Sequence, residues 1–245
     1  MRIDDIDPPR AQPGAEAAIL ASLAAHGLTP DAPVLYQSSR QQAYEAALRQ
    51  LAADLFYCRC SRRMLADSPI YPGYCRSYQT PREDAAIRFM VKQRKVTYSD
   101  RYMGPQQVDL ASEVGDFIVV RRDGLVAYNL ATAVDDGAFS QVIRGQDLAA
   151  VTAPQITLMQ QLSLNTPDYV HLPVLCYADG VKLSKQTHAP ALDDSRAAHN
   201  ISQALTLLNH PPPDQLTVQQ LLQWGASNWQ LARVPAKLPA YVPAA

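Results

Sequence analysis

The stretch DGVKLSKQTHAPAL, residues 179–192, follows a mostly apolar run, YVHLPVLCY (169–177), which predicts a buried strand. Asp179-Gly180 is a turn signal, so the residues after it form a loop at the end of that strand. The loop carries Lys182 and Lys185 on either side of a Leu-Ser pair. Ammonium and backbone N–H groups placed in this way suit the phosphates of a nucleotide, although a solvated basic turn has the same appearance.

The segments before this loop alternate between strand and helix patterns, which favours an α/β fold with a parallel sheet. Strands are predicted at residues 1–5, 34–36 and 139–145. Helices are predicted at 14–27, from Ser38 or Ser39 to about 56, at 152–164, at about 195–208 and at about 218–224. The first of these is Ala-rich and amphipathic, with Gly27 as its C-cap. Two β-rich runs around Asp123-Gly124 predict a hairpin over 117–131.

Composition indicates a globular protein, and the cytoplasm is its expected location. It has 245 residues, of which 47% are hydrophobic, and no apolar run approaches the length of a membrane span. No signal peptide opens it, and we expect a monomer without membrane contact. The net charge of −1 argues against general binding of polyanions, but residues 58–95 contain nine Lys or Arg and three acids. That surplus suits either a phosphate backbone or a solvated face.

Three cysteines crowd into eighteen residues and indicate a metal site in a reduced protein. Cys58 and Cys60 form a C-x-C pair, and Cys75 follows in YPGYC. Zinc takes four such ligands in a tetrahedron, and no histidine lies in the segment. The fourth ligand is then a tyrosine, the Asp67 carboxylate, water or the distant Cys176. The alternative is that the three cysteines are buried and reduced without a metal.

Several of these motifs together resemble one family. KLSKQTHAPAL resembles the KMSKS-type signature of class I aminoacyl-tRNA synthetases, in the variant of the glutamyl-queuosine tRNA(Asp) synthetases. RIDDIDPPR (2–10), FIVVRRDGLVAYNLATAVDD (117–136), VIRGQDL (142–148) and DYVHLPVL (168–175) are similar to other stretches of that family. The resemblance covers nearly the whole chain. The length of the chain matches that of these truncated paralogues of glutamyl-tRNA synthetase, which lack the anticodon-binding domains.

The resemblance implies a class I synthetase fold: a Rossmann-like parallel sheet with a zinc-binding insertion and a C-terminal helical segment. It assigns residues 1–56 to the first half of the catalytic domain and 57–115 to the insertion. Residues 116–190 form the second half with the lysine loop, and 191–245 the C-terminal segment and tail. The family's C-x-C and Y-x3-C pattern implies one structural zinc held by Cys58, Cys60, Tyr71 and Cys75.

The implied activity is that of an ATP-dependent ligase. With ATP and Mg²⁺, the α-carboxylate of glutamate attacks the α-phosphate, which gives glutamyl-adenylate and pyrophosphate. The glutamyl group then passes to the queuosine base at the wobble position of tRNA(Asp). The positions implied for glutamate binding are Asp4, Tyr128 and Arg144. Lys185 and Ser184 are the positions expected to bind ATP. Lys185 and Lys182 are the expected catalytic residues.

The residue types agree with this chemistry. An amino acid with two carboxylates and one ammonium is bound well by a guanidinium, an acid and a hydroxyl. Each residue also has a structural explanation. Asp4 can cap a turn, Tyr128 can pack in the hairpin, and Arg144 can form an internal ion pair.

The chain departs from the family in two places. Asp4 stands where the family has a Glu, which is longer by one methylene. The family's first strand, HIGH-type signature and following helix are expected before RIDDIDPPR and do not occur in the sequence. We therefore expect a chain that lacks this N-terminal segment and has impaired activity. Two alternatives to the enzyme remain: a catalytically inactive zinc- and tRNA-binding module, and a fragment of a true glutamyl-tRNA synthetase.

Overall fold

The computed structural model describes residues 1–7, 12–92, 95–184, 187 and 189–241. Its α-helices in chain order are α1 (Ala15–Ala25), α2 (Gln41–Gln50), α3 (Leu110–Glu113), α4 (Tyr128–Asp136), α5 (Ala149–Gln161), α6 (Ala197–Leu207) and α7 (Val218–Asn228). Its strands are β1 (Arg2–Ile3), β2 (Leu35–Tyr36), β3 (Leu55–Cys58), β4 (Ala86–Phe89), β5 (Lys95–Asp100), β6 (Gly104–Asp109), β7 (Phe117–Val120), β8 (Gln141–Gly145) and β9 (Asp168–Leu172). None of the described helices is long and apolar enough to cross a membrane.

Parallel pairing relates strands that are distant in sequence. β1 pairs with β2, and β8 pairs with β9 in a register that sets Arg144 opposite His171. β5 joins the other edge of β9, also in parallel, at Asp100 and Tyr169. The four-stranded sheet therefore has the order β6-β5-β9-β8. The predicted α/β class with parallel strands is confirmed.

Antiparallel strands tie residues 57–115 to the rest of the molecule. β3, β4 and β7 form a three-stranded sheet, while β5 and β6 form a hairpin that enters the parallel sheet through β5. Strands of this segment thus bond to β7 and β9, which follow it in the chain. The four-part division of the chain stays a prediction.

The hydrophobic core lies where helices α4 and α5 pack against the strands. Every residue of α5 from Thr152 to Met159 is buried, as expected of a helix with neighbours on all sides. A polar centre links α2 to α4. The buried carboxylate of Asp135 accepts hydrogen bonds from Gln37 Nε2 at 2.9 Å, Tyr44 Oη at 2.8 Å and Arg40 Nε at 3.1 Å.

The hairpin predicted over 117–131 forms only in part. After β7 the chain turns at Asp123-Gly124, and Val126 forms an antiparallel β-bridge with Val120. The second run then becomes α4 at Tyr128, not a strand. The reason is its content of helix-forming alanine and leucine at positions that helical spacing buries against α5.

Helix α1 begins and ends close to its predicted bounds but is not amphipathic in the structure. No residue of α1 is buried, and Ile19 is 46% exposed. The helix ends before Gly27, whose φ of +69° is the left-handed conformation of helix C-terminal glycines. His26 beside it anchors the helix to α6, because its Nε2 lies 3.0 Å from Asn200 Nδ2.

Candidate functional site

Arg144 on β8 lies at the centre of a group of buried polar side chains. Its Nε donates to Nε2 of His171 at 3.0 Å, its Nη1 to Oε1 of Gln155 at 2.9 Å, and its Nη2 to Oγ1 of Thr152 at 2.7 Å. The β8–β9 register supplies His171, and the first turns of α5 supply Thr152 and Gln155. The guanidinium also lies 5.0 Å above the ring of Tyr169.

The hydrogen-bond partners of Arg144 carry no formal charge, which decides what the site can bind. Among the described residues, no carboxylate is in ion-pair contact with Arg144. A guanidinium has five N–H donors, and three are used here. Two donors and the positive charge are left for a ligand. One of these donors is on Nη1 and the other on Nη2, and a carboxylate has the two acceptor oxygens and the negative charge to match them.

The ring nitrogen of His171 that faces away from Arg144 contacts a buried carboxylate, that of Asp100. His171 is 0% exposed and Asp100 is 1% exposed, and Nδ1 of His171 lies 2.7 Å from Oδ2 of Asp100. Burial, together with the charge of Arg144, lowers the pKa of His171. Burial acts to raise the pKa of Asp100, but hydrogen bonds from the Met103 backbone, from His171 and from the Tyr102 backbone outweigh it and lower that pKa. At neutral pH the acid is ionised and the imidazole is neutral.

Asp4 and Tyr128 line one cavity of about 460 Å³ together with Asp5, Ile6, Asp7, Gln37, Arg121, Val126 and Ala127. Asp4 follows β1, and Tyr128 is the first residue of α4 and is 38% exposed. Arg144 is not among the lining residues. The structure therefore brings together two of the three predicted glutamate-binding residues.

An ion-pair chain leads from this cavity towards Arg144. Arg2 donates to Asp4 at 2.6 Å and also pairs with Asp136 at the end of α4. Burial raises the pKa of Asp136, while the charges of Arg2 and Arg144 act to lower it. The acid thus lies within the field of both guanidinium groups.

The lysine loop is a tight turn whose base is held by hydrogen bonds. Tyr177 N donates to Val181 O at 2.8 Å, and Lys182 bridges back to Cys176. Nζ of Lys182 contacts Oδ2 of Asp147 at 2.5 Å, and the backbone N–H of Ser184 donates to Thr187 Oγ1 at 2.9 Å. The predicted ATP-binding residue Lys185 lies outside the described residues.

Gly145, the last residue of β8, packs closely against the side chains of Asp147 and Val174. A Cβ atom on Gly145 would lie 2.3 Å from Asp147 Oδ1 and 2.8 Å from Val174 Cγ1. Both distances are shorter than real carbon contacts, so a side chain at this position would displace the acid that holds Lys182.

The predicted zinc ligands are close together. The Sγ atoms of Cys58, Cys60 and Cys75 all lie within 4.8 Å of one another, and the Cys60–Cys75 distance is 3.7 Å. The hydroxyl oxygen of Tyr71 lies 3.4 Å from Cys58 Sγ and 3.9 Å from Cys60 Sγ. A tetrahedral ion with Zn–S bonds of about 2.3 Å holds its sulfurs about 3.8 Å apart. The four groups fit such an ion.

The surroundings of the cluster favour a thiolate at one position. Burial acts to raise the pKa of Cys58, but hydrogen bonding with Tyr71, the Cys60 backbone and Arg88 outweighs it and lowers that pKa to about 7. Burial and the neighbouring thiols raise the pKa of Cys60 to about 11. The Arg88 guanidinium lies 4.0 Å above the Tyr71 ring and fixes its position. Cys176 is not part of the cluster.

Sequence reasoning missed the residues around Arg144. They are Arg2, Asp100, Asp136, Thr152, Gln155 and His171. A signal existed for three of them. Thr152 and Gln155 are polar residues three apart in the first two turns of α5, where the other residues are apolar. His171 sits in a predicted buried strand, where a histidine requires a partner.

Comparison with known proteins places the chain in a family. A model described as tRNA synthetases class I (E and Q), catalytic domain, matches residues 1–67 and 72–209. The Glutamyl-Q tRNA(Asp) synthetase of Acinetobacter baylyi is 42% identical over 239 residues, which cover 96% of this chain and 82% of that protein. The protein of the same name from Chromobacterium violaceum is 42% identical over 249 residues, or 96% and 84%.

The chain belongs to the glutamyl-Q tRNA(Asp) synthetase family. It is thus a class I aminoacyl-tRNA synthetase-like ligase. Solved structures show the same fold. A glutamate–tRNA synthetase from Elizabethkingia anophelis aligns with a TM-score of 0.75 at 20% identity over 98% of this chain and 61% of its own. A glutamate tRNA ligase from Elizabethkingia meningosepticum aligns with a TM-score of 0.72 over 98% and 60%.

Proposed function

We propose that this protein activates glutamate with ATP and transfers the glutamyl group to the queuosine base at the wobble position of tRNA(Asp). The observation that carries the proposal is the Arg144 guanidinium, which is held by neutral partners and keeps its charge and two donors for a carboxylate. The names of the relatives at 42% identity support glutamate as the amino acid and tRNA(Asp) as the acceptor. A cytoplasmic location and a monomeric state stay predictions.

The glutamate site comprises Arg144 and the cavity that contains Asp4 and Tyr128. Arg144 binds a carboxylate, Asp4 attracts the ammonium group, and the Tyr128 hydroxyl supplies a hydrogen bond. Arg2 holds the Asp4 carboxylate at 2.6 Å, which orients the shorter acid at this position. The ion-pair chain through Arg2 and Asp136 supports one continuous site.

ATP binds at the lysine loop in this proposal. We assign Lys182, Ser184 and Lys185 to the phosphates, with Mg²⁺ on the nucleotide. Charge then develops on pyrophosphate as it leaves, and a lysine placed there stabilises that charge; loss of such a group typically costs about 10²–10³ in rate. The α-carboxylate of glutamate is the nucleophile, and glutamyl-adenylate is the product of this first step.

Zinc is assigned to Cys58, Cys60, Tyr71 and Cys75, where it has a structural role. The fit of the three sulfur atoms and the phenol oxygen supports this assignment. The ion would hold β3 to the 71–75 turn. We assign contact with the tRNA to the exposed basic residues of 58–95 that the structure describes, among them Arg59, Arg62 and Arg63.

Pyrophosphate exchange tests the enzyme. Exchange between ATP and pyrophosphate that depends on glutamate and needs no tRNA is the expected result. Arg144→Leu and Lys185→Ala should each abolish it. A true glutamyl-tRNA synthetase requires its tRNA for activation, so exchange that appears only when tRNA(Glu) is added would favour that alternative.

The acceptor is tested in the second step. Labelled glutamate should attach to tRNA(Asp) that contains queuosine and not to the same tRNA with guanosine at the wobble position. An inactive binding module predicts another outcome: no exchange by the wild-type protein, and a tRNA affinity that Lys185→Ala leaves unchanged.

A further inference from the structure

Asp100, His171 and Arg144 form a continuous buried chain of hydrogen bonds. Arginine in a protein only donates, so Nε2 of His171 must accept the hydrogen bond from Arg144 Nε at 3.0 Å. The proton of the neutral ring is then on Nδ1, where it is donated to Asp100 at 2.7 Å. These contacts permit one tautomer of His171, and Asp100 selects it.

Protonation of His171 would reverse this arrangement. The cationic ring would carry an Nε2–H 3.0 Å from the Nε–H of Arg144, which places two donors and two positive charges side by side. The other neighbour of Nε2 is Thr152 Oγ1 at 3.1 Å, which already accepts a hydrogen bond from Arg144 Nη2. The charged groups around His171 are Arg144 from β8, Asp100 from β5 and Asp147 from the turn after β8, and the ring of Tyr169 stacks beside it at 5.7 Å. Of these, only Arg144 bonds to Nε2 as a cation.

We propose that His171, as the Nδ1–H tautomer held by Asp100, is a positioning residue that orients the Arg144 guanidinium towards the substrate carboxylate. The inference rests on the proposed function and names a residue that acts through Arg144 without touching the substrate. Thr152 and Gln155 hold the two terminal nitrogens, and His171 holds Nε. With three fixed points the guanidinium plane cannot rotate, and the remaining two N–H groups keep one direction.

The proposal predicts a dependence of glutamate affinity on pH. When His171 takes up a proton, Arg144 loses its third fixed point and gains a repulsive neighbour. Affinity should therefore be constant above the pKa of His171 and fall as the pH drops through it. Because burial and Arg144 lower that pKa, the fall should begin below about pH 6.5, the ordinary value for histidine.

The first test reads the tautomer in the protein without ligand. Nitrogen NMR of the five histidines at pH 7.5, compared with the spectrum of His171→Gln, identifies the His171 ring. A neutral ring with its proton on Nδ1 is expected. A proton on Nε2, or a cationic ring at this pH, would overturn the proposal whether or not the protein binds glutamate.

The second test measures glutamate binding by calorimetry between pH 5 and 8. His171→Phe should raise Kd at least about tenfold, since a charged group loses a hydrogen bond. His171→Gln has an oxygen that can accept from Arg144, so its Kd should stay within a few-fold of wild type and lose the pH dependence. His210→Phe, which replaces another buried histidine outside the network, is the matched control and should bind as wild type does.

The outcomes separate the two levels of the proposal. If wild-type protein does not bind glutamate, the proposed function fails, and the tautomer alone decides whether His171 positions Arg144. If wild type binds and His171→Phe binds equally well, the positioning role is refuted. Retention of the pH dependence in His171→Gln would refute it too.

Discussion

Replacement of Arg144 by lysine retains the positive charge and removes the planar fork. The ammonium group has three donors on one nitrogen, whereas the guanidinium has five donors on three nitrogens. Three of those five now reach His171, Gln155 and Thr152, and two remain. A lysine cannot serve three fixed acceptors and a bidentate carboxylate together. Both ligand binding and the buried network should therefore suffer.

The magnitude follows from the bonds lost. The carboxylate keeps at most one charge-assisted hydrogen bond of two, and the loss of one costs about 1.5–3 kcal/mol, or about 10- to 150-fold in Kd. At least one of the three acceptors is left buried and unpaired, which costs about 1–3 kcal/mol of stability. Calorimetric titration with glutamate measures the first quantity, and urea unfolding measures the second.

Arg101→Lys is the matched control for this substitution. Arg101 pairs with Asp168 at 2.5 Å, but both side chains are more than half exposed, so the pair contributes little. The control should leave the Kd for glutamate unchanged and alter stability by less than about 1 kcal/mol. If Arg144→Lys binds glutamate within twofold of wild type, Arg144 does not hold the carboxylate through its fork and the reasoning is refuted.

Three further predictions concern the rest of the molecule. Metal analysis of reduced protein should find one zinc per chain, lost in Cys60→Ala and kept in Cys176→Ala; well under one zinc in wild type would contradict the assignment. Asp135→Ala should lower the free energy of unfolding by about 3–5 kcal/mol, because Arg40 and two neutral donors lose a buried acceptor, while Asp194→Ala, an exposed control, should cost far less in urea unfolding. Stability should fall as the pH drops below about 6.5, since the unfolded chain then binds a proton that native His171, with its lowered pKa, does not; urea midpoints at pH 7.5 and 5.5 should differ less in His171→Gln.

Local patterns predicted the features that are local in the structure. The helix bounds near 15–25 and 197–207, the turn at 179–180 and the crowding of three cysteines all depend on residues close in sequence. The helix predicted at 152–164 lies three residues earlier, at 149–161. The exposed face of α1 was not predictable, because an apolar pattern shows which residues can be buried and not whether a neighbour covers them. Tyr128 was expected in a strand, and packing of α4 on α5 decided otherwise.

The network of Asp100, His171 and Arg144 shows most clearly what sequence patterns do not predict. Asp100 and His171 are 71 residues apart, and only the pairing of β5 with β9 brings them together. Nothing in either neighbourhood identifies the other. Arg144 was predicted through a resemblance, but the fact that its hydrogen-bond partners are neutral emerges only from the register of β8 and the placement of α5.

The short span from Arg144 to Asp147 has a consequence for the order in which ligands act. Arg144, the first of these four residues, binds the glutamate carboxylate in the proposed function. Asp147, the last, contacts Nζ of Lys182 in the lysine loop at 2.5 Å. A nucleotide phosphate that draws Lys182 away frees Asp147, whose charge also acts on His171. Thermodynamic linkage makes such an effect mutual: whatever ATP does to the affinity for glutamate, glutamate does to the affinity for ATP. With both substrates bound as proposed, the four residues from Arg144 to Asp147 would couple the two binding sites.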